Sequence, residues 1–528
     1  MMTSDKNLTL VENGKLKLSA YLMICLFSAL VFSMYGLELP LRRDNAQYIY
    51  SAQRLLQGEM PYQSIFDMKT PLTSFVTAFA LLITQNIFDE PIKGIRFFFV
   101  AIGIADILLT YVLAKKLFDN KFESLLAPLM MIGFHGYMYQ TAIGAEPKLL
   151  LLPLFVTGLI FIVDKKWFAL GIVSALCAFT WQPSGILFIA ALLYAIIQRP
   201  QDRFSAFSRL SIGFLIPSII IFGYFLLNGA FNELIQGAFI VHAYLRRPNE
   251  NELLIIAKMI PFGFPFSFWL ILISLPAFFI HGLRRVMKSE NASRADNSFL
   301  PFMVALSLFM IASLLDFQSY PDFFIFLPFC SLGIIIFYRA AVNLVTEKRL
   351  ITSNVNLHIF KSLFFLGLLS IPFLNALFSN IFSNHAAIWR GGLIEQKTAY
   401  SHIVRAALGD HYVNSNIIVI GVPEIPALLG FRNGTQHASL GSVQGYDAFI
   451  SSNYSSGFSG WLDEMSKKEP DLVVVKMSDL VGYSGRNRAL FVDWLNSGFS
   501  KYSSNEDIHS EKFRSDDIQT WVKVNKKS

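Results

Sequence analysis

Residues 38–71 read ELPLRRDNAQYIYSAQRLLQGEMPYQSIFDMKTP and lie between an apolar run at 18–37 and another at 72–88. The stretch is too structured to be a tether. Between Ala46 and Leu56, Ile49, Ala52 and Leu56 fall on one helical face, while Gln47, Arg54 and Gln57 fall on another. Tyr48, Tyr50 and Tyr62 suit the headgroup level of a bilayer. The pattern predicts a helix lying along a membrane interface, preceded by Asp44 and closed by a Gly58-Glu59-Met60-Pro61 turn.

The flanking sequence supplies the membrane segments. Of 528 residues, 54% are apolar and 15% charged, whereas soluble domains carry about 25% charged residues. Mean hydropathy is +0.48, and too few polar groups remain to coat several soluble domains. Apolar runs near the length of a membrane span fall at about 18–37, 72–88, 96–114, 122–140, 149–163, 167–181, 183–198, 208–228, 257–280, 299–316, 323–340 and 358–380. They are too long for barrel strands, and unpaired backbone does not cross hydrocarbon, so they read as helices. The expected fold is a polytopic α-helical membrane protein of about 11–13 transmembrane helices, with the first run an uncleaved span.

Lys and Arg exceed Asp and Glu by 44 to 37. The excess clusters at helix ends, as at Lys165-Lys166, Arg199 to Arg203, Arg284-Arg285-Lys288 and Lys348-Arg349, which is the positive-inside pattern and not a nucleic-acid footprint. These clusters read as cytoplasmic and put 141–147, 229–256, 316–322 and everything beyond 381 on the opposite side. The N-terminal lysines put the N-terminus inside and 38–71 outside. The two assignments differ by one crossing between 72 and 140. Cys25, Cys177 and Cys330 each sit in an apolar run and imply no disulfide framework.

Beyond 381 the hydrophobic runs shorten and Ser, Asn, Gly and charges return. Ile417–Gly421 and Leu472–Lys476 read as buried strands, Gly460–Lys468 and Arg488–Ser497 as helices, and Gln519–Val524 as a final strand. The division expected is a transmembrane catalytic domain over 1–380, carrying the first outer loop 38–71, and a small extracytoplasmic α/β domain over 381–528.

The loop carries a resemblance. Asp44, a Tyr-containing helix with Arg54, the Gly58-to-Tyr62 turn and Phe66-Asp67-Met68-Lys69-Thr70-Pro71 resemble the GT-C glycosyltransferases that use polyprenyl-phosphate sugars. The similarity is to the bacterial protein-mannosyltransferase-like and lipid A aminoarabinose-transferase-like enzymes. Their pattern is Asp-Glu-x-x-Tyr, helix, Gly-x-x-Pro-Tyr, then Phe-Asp/Glu-x-Lys-x-Pro; here Asn45 stands for the second acid. Further along, Gly144-Ala145-Glu146-Pro147 sits where the family has a second acidic loop. Trp181-Gln182-Pro183 resembles its Lys-Gln-Pro turn with Trp for Lys, and Ser319 to Phe324 resembles its Tyr-Pro-His-Tyr stretch with Asp322 for His. The resemblance covers about residues 18–340 and is most specific in 42–71.

The resemblance implies an inverting transfer of a sugar from a lipid-linked phosphate on the non-cytoplasmic face of a bacterial inner membrane. The acceptor would be an envelope glycan, glycolipid or protein. Such chemistry needs a carboxylate to take the acceptor's proton and a cation for the departing phosphate. Asp44 is the expected base; the alternative is an N-cap of the loop helix. Lys69 is the expected phosphate partner, or else an interfacial anchor. Arg54 and Tyr320 are further phosphate-binding candidates, set against carbonyl capping and loop packing. Asp67 would orient Lys69 or help hold a divalent cation, and Glu146 would support acceptor or metal, or merely begin a helix. No cofactor is otherwise expected. Arg42, Arg43, Arg246 and Arg247 are outer-face cations, His242, Tyr244 and Asp322 read as loop packing, and His135 as a core histidine.

No P-loop, GxGxxG, HExxH or Cys/His cluster occurs, so nothing in the sequence points to an ATP-driven pump, a redox cofactor or a zinc site. Two other readings remain open: an O-antigen ligase or polymerase using a diphosphate-linked glycan, and a secondary transporter or flippase. A carrier places its ionisable groups near mid-span; here most carboxylates fall in loops on one face.

Overall fold

The computed structural model describes residues 4–63, 65–197, 200–245, 252–265, 267–288, 299–315, 317–348, 354–382, 392–437, 445–502 and 517–524. The chain forms two compact units. The first takes 1–37, 97–218 and 251–386; the second takes 38–96, 219–250 and 387–528. The second therefore gathers the first outer loop and the 219–250 segment with the C-terminal region, whereas the sequence pattern places both with the membrane domain.

Among the described residues the elements of the first unit are all helical. Among the described residues four helices are long and apolar enough to cross a bilayer: Pro91–Phe118, Asp202–Leu227, Phe268–Met287 and Tyr320–Glu347. A fifth span results if His135–Ile143 and Pro147–Val163, bent by 116°, count as one. Seven shorter apolar helices accompany them. The sequence runs are thus present but more broken than the expected 11–13 spans. The 122–140 run divides at Gly133-Phe134, and the 257–280 run divides between Gly263 and Phe268. Leu72–Thr84 has 13 residues, about 20 Å of helix, short of the ~30 Å hydrocarbon core. Gly144 makes the sharpest bend possible, because its φ of 91° suits glycine alone, and Pro147 then starts the next helix at a position where a missing N–H costs nothing.

The second unit is α/β. Its sheet has the order β1-β2-β4-β3, with β1 Ile417–Ile420, β2 Leu472–Lys476, β3 Phe499–Tyr502 and β4 Ile518–Lys523. β1 and β2 pair in parallel, Ile417 opposite Leu472; β4 runs antiparallel to β2 and β3. IIVI and LVVV are wholly buried, which is why these strands are continuous apolar runs and not alternating ones. Phe449, Phe458, Trp461 and Phe491 complete the core around them. The expected strands and the two expected helices all form, the latter as Phe458–Lys467 and Gly485–Gly498. β3 is not apparent from the sequence: FSKY has one buried residue and three exposed ones, with no hydrophobic alternation to mark it.

Candidate functional site

The loop helix runs from Arg43 to Leu56 and packs against Leu72–Thr84 within the second unit. Arg42 is its extended N-cap residue and makes no side-chain cap. Asp44 thus lies inside the first turn, favourably placed in the helix dipole but not capping; the N-cap alternative for Asp44 is corrected. Its carboxylate is exposed, and it makes no hydrogen bond or ion pair among the described residues. Asn45, where the resembling family has an acid, is 2% exposed; an ionised carboxylate there would be costly to bury.

The helix ends at Gln57-Gly58, with Gly58 at φ +84° and the Glu59 amide donating to the Arg54 carbonyl at 3.1 Å. The chain then folds into a closed loop around Tyr62, itself at φ 68°. The Tyr62 amide donates to the Ile65 carbonyl at 2.9 Å and its hydroxyl to the Lys69 carbonyl at 2.5 Å. Tyr62 is buried against Phe225, Leu234 and Ala238. Gly237 faces this loop so closely that a Cβ on it would stand 2.6 Å from both the Asp67 carbonyl oxygen and the Tyr62 ring. His242 contacts the Met68 carbonyl at 2.9 Å through Nε2, and the Phe66 amide donates to the Gln436 carbonyl at 2.9 Å.

This loop sets Asp67 and Lys69. Asp67 is buried, and the Lys69 amide donates to its Oδ1 at 3.0 Å. Burial pushes the Asp67 carboxyl up to about 6, against the lowering from the Lys69 and Met68 amides and the Lys69 ammonium; the Asp44 charge adds to the rise. The Lys69 ammonium lies 5.9 Å from the Tyr48 ring centroid and makes no ion pair within 4 Å among the described residues. Asp44, Asp67 and Lys69 are thereby brought together electrostatically: an exposed carboxylate, a buried one of near-neutral pKa, and a cation with unsatisfied donors.

Arg54 goes elsewhere. Ten residues beyond Asp44, about 15 Å along the helix, it is buried beside Glu59 at 3.7 Å, over the Tyr50 ring, with its Nη2 donating to the Gly430 carbonyl at 3.4 Å. This is a bracing role at the far end of the helix. Arg43 pairs with Asp479 at 2.7 Å. Arg246 and Arg247 lie outside the described residues. Glu424 was not apparent from the sequence: burial pushes its carboxyl up to about 7, against the Arg43 and Lys476 charges, while Asp44 raises it further.

Glu146 and Tyr320 belong to the first unit. Glu146 is the N-cap residue of Pro147–Val163, but its side chain caps nothing. Instead it is buried 3.8 Å from the Lys148 ammonium, which also pairs with Asp322 at 2.8 Å. Asp322 accepts the Gln318 and Ser319 amides at 2.7 and 3.1 Å and so fixes the start of the Tyr320–Phe326 turn. The Lys148 ammonium further lies 5.6 Å from the Trp181 ring centroid. Two of the three departures from the resembling family's pattern, Trp181 and Asp322, therefore meet the same lysine. No motif in the sequence marks Lys148; its one signal is a lysine at the head of an apolar helix, which stays buried only if paired. Tyr320 is buried among Phe262, Phe264 and Phe324, with the Gln140 amide donating to its hydroxyl at 2.5 Å. Among the described residues no group of three or more His, Cys, Asp or Glu is arranged to hold a metal ion. Asp67 and Glu146 are thus not members of such a cluster.

No protein-family model and no curated protein sequence matches the chain. Solved structures do match its fold. ArnT from Cupriavidus metallidurans in the apo state aligns with a TM-score of 0.61 at 10% identity, covering 97% of this chain and 98% of that one. The same protein bound to undecaprenyl phosphate aligns with a TM-score of 0.57 at 11% identity, over 96% and 98%. The archaeal oligosaccharyltransferase AglB from Archaeoglobus fulgidus, in complex with an inhibitory peptide and a dolichol-phosphate, aligns with a TM-score of 0.55 at 12% identity, over 93% and 74%. The chain is a multi-pass membrane protein with the GT-C fold, a fold it shares with these proteins over nearly its whole length.

Proposed function

We propose that the protein is an inverting glycosyltransferase that moves a sugar from a polyprenyl-phosphate donor to an envelope glycan, glycolipid or protein on the non-cytoplasmic face of a bacterial inner membrane. The observation that carries this reading is the outer segment that places Asp44, on its helix, within electrostatic reach of Asp67, which the loop around Tyr62 holds with Lys69. The full-length fold likeness to a protein bound to undecaprenyl phosphate supports the donor class.

In this reading Asp44, exposed and unpaired, takes the proton of the acceptor hydroxyl as that oxygen attacks the sugar carbon from the face opposite the leaving phosphate. The C–O bond to phosphate breaks as the new glycosidic bond forms, and the phosphate leaves with the electron pair. The Lys69 ammonium offsets its charge with direct hydrogen bonds. Asp67 does not touch substrate. It holds the Lys69 backbone and steers the ammonium, and its ionisation near pH 6 sets how strongly it does so. Tyr320 and Glu146 lie in the first unit, where Gln140 holds the hydroxyl of the one and Lys148 pairs with the carboxylate of the other, so no step of the transfer is assigned to them. A divalent cation would be held by Asp67 or Glu146, each with a single carboxylate to offer; neither is needed for the steps above.

The test is consumption of a synthetic polyprenyl-phosphate-sugar pool in the presence of envelope lipid extract, comparing purified wild type with Asp44→Asn. Consumption by wild type and not by the variant is the expected result. Equal consumption by both removes Asp44 from the mechanism, and no consumption by either overturns the enzyme reading.

A further inference from the structure

The second unit holds a cavity that the catalytic loop does not use. Its volume is about 650 Å³, within the range of small-molecule sites, roughly 300–1,000 Å³. One wall is the turn after the loop helix, at Glu59 and Gln63. The others are the segment leading into β1, the strip from Arg432 to Gln436, and the Phe458–Lys467 helix.

The lining is polar but electrically neutral. It contains two acids, Glu59 and Glu464, and two bases, Arg432 and Lys468, a formal sum of zero. They are already matched: Arg432 Nε lies 3.2 Å from Glu59, and Lys468 Nζ 3.4 Å from Glu464. A phosphate or acidic ligand would find no uncompensated cation. The rest of the lining adds amides and hydroxyls, at Gln63, Asn414, Asn416, Gln436, Ser415 and Thr435, of which Gln63 and Asn416 already donate to the Gly229 and Lys468 carbonyls. Such groups offer donors and acceptors side by side, which is what a sugar requires, since each hydroxyl both donates and accepts. Tyr454, half-buried in the wall, adds an aromatic ring, an apolar surface for pyranose C–H groups.

The cavity also adjoins the reacting segment. Gln436 lines it, and the Gln436 carbonyl accepts the amide of Phe66, the residue before Asp67. We infer that this cleft binds a neutral glycan, holding one or two sugar residues of the acceptor beside the Asp67–Lys69 loop. The word acceptor rests on the glycosyltransferase reading above; the glycan site does not.

The experiment uses the full chain in lipid nanodiscs. Saturation-transfer NMR is recorded with chitotetraose and maltotetraose as neutral probes and with inorganic phosphate as a competitor. Asn414, an exposed lining residue, is replaced in Asn414→Trp to narrow the cleft, and Tyr454→Ala removes the lining ring. The expected result is sugar saturation with wild type, at least tenfold weaker in both variants and indifferent to phosphate. Absence of saturation by both sugars, equal saturation in the variants, or displacement by phosphate overturns the site. In transfer assays Asn414→Trp is expected to raise the acceptor KM at least tenfold. Sugar binding without any transfer leaves the site standing and removes the glycosyltransferase reading. Transfer with an unchanged acceptor KM does the reverse.

Discussion

Asp67 shows how one residue can oppose stability and serve function together. Its folded pKa of about 6 stands above the ordinary 3.8, so between those values the native state keeps a proton that the unfolded chain has released. Stability is greatest below that window and falls as pH rises through it, by roughly 3 kcal/mol for this group. Asp67→Asn keeps the acceptor oxygen for the Lys69 amide and removes the buried charge. Thermal unfolding of this variant at pH 7 is expected at a higher temperature than wild type, while its transfer rate falls. The wild-type rate should decline as pH drops through about 6, and that limb should vanish in Asp67→Asn; an unchanged pH profile would remove Asp67 as a positioning residue. Asp44→Asn is expected to lower turnover by about 10²–10⁴-fold, the usual worth of a general base, without loss of folded protein in the membrane. Lys69→Ala should act chiefly on the donor KM, read from initial rates at varied lipid donor. The sequence marks all three residues, because Asp44 and the Phe66-to-Pro71 stretch are contiguous with a recognisable helix and turn. It does not reveal that Arg54, equally well placed by motif, braces the helix against Glu59 and Gly430.

At the scale of elements, the loop depends on what packs behind it. Gly237 stands against Tyr62 and the Asp67 carbonyl, so Gly237→Ala is expected to push the loop by several tenths of an ångström. A shift of that size at a reacting geometry costs rate more than stability. Turnover should drop about tenfold or more with little change in unfolding temperature, and a variant with wild-type turnover would show that the loop tolerates displacement. In the first unit, Lys148→Met would leave Glu146 and Asp322 buried without a countercharge. Breaking such a cluster costs about 3–5 kcal/mol, and the unfolding midpoint in detergent should fall accordingly. Adding Asp322→Asn should restore much of the loss; failure to do so would mean that the ion pair is not the source. Neither contact is legible along the chain, since 174 or more residues separate partners such as Met68 and His242, or Lys148 and Asp322.

At the scale of the molecule, the C-terminal region of the second unit is knit to the outer-loop segment and its helix at several points. Gln396 bonds both the amide and the carbonyl of Leu41, the Asn433 amide donates to the Tyr50 hydroxyl at 2.7 Å, and Gln53 donates to the Ala427 carbonyl at 2.9 Å. Asn433 also ties its side chain to both backbone groups of Val419 in β1, at 2.8 and 2.9 Å. Asn433→Ala is expected to cost about 1–3 kcal/mol through those unmade bonds, and limited proteolysis should then nick the α/β region sooner than in wild type. By itself the sequence determined what depends on local pattern: the membrane class from hydropathy, the strands from wholly apolar runs, and the loop helix with its Gly58 turn. Such features follow from the residue's own side chain and its near neighbours. The tertiary structure alone decided which apolar runs break, that FSKY becomes a strand by pairing with β4, and that the outer loop belongs with the C-terminal sheet. It also decided which charges are paired and which stay available, because burial and ion pairing are set by groups distant in the chain. Among the described residues Asp44 and Lys69 are left without an ion-pair partner by that arrangement, while Arg54 and Lys148 are not.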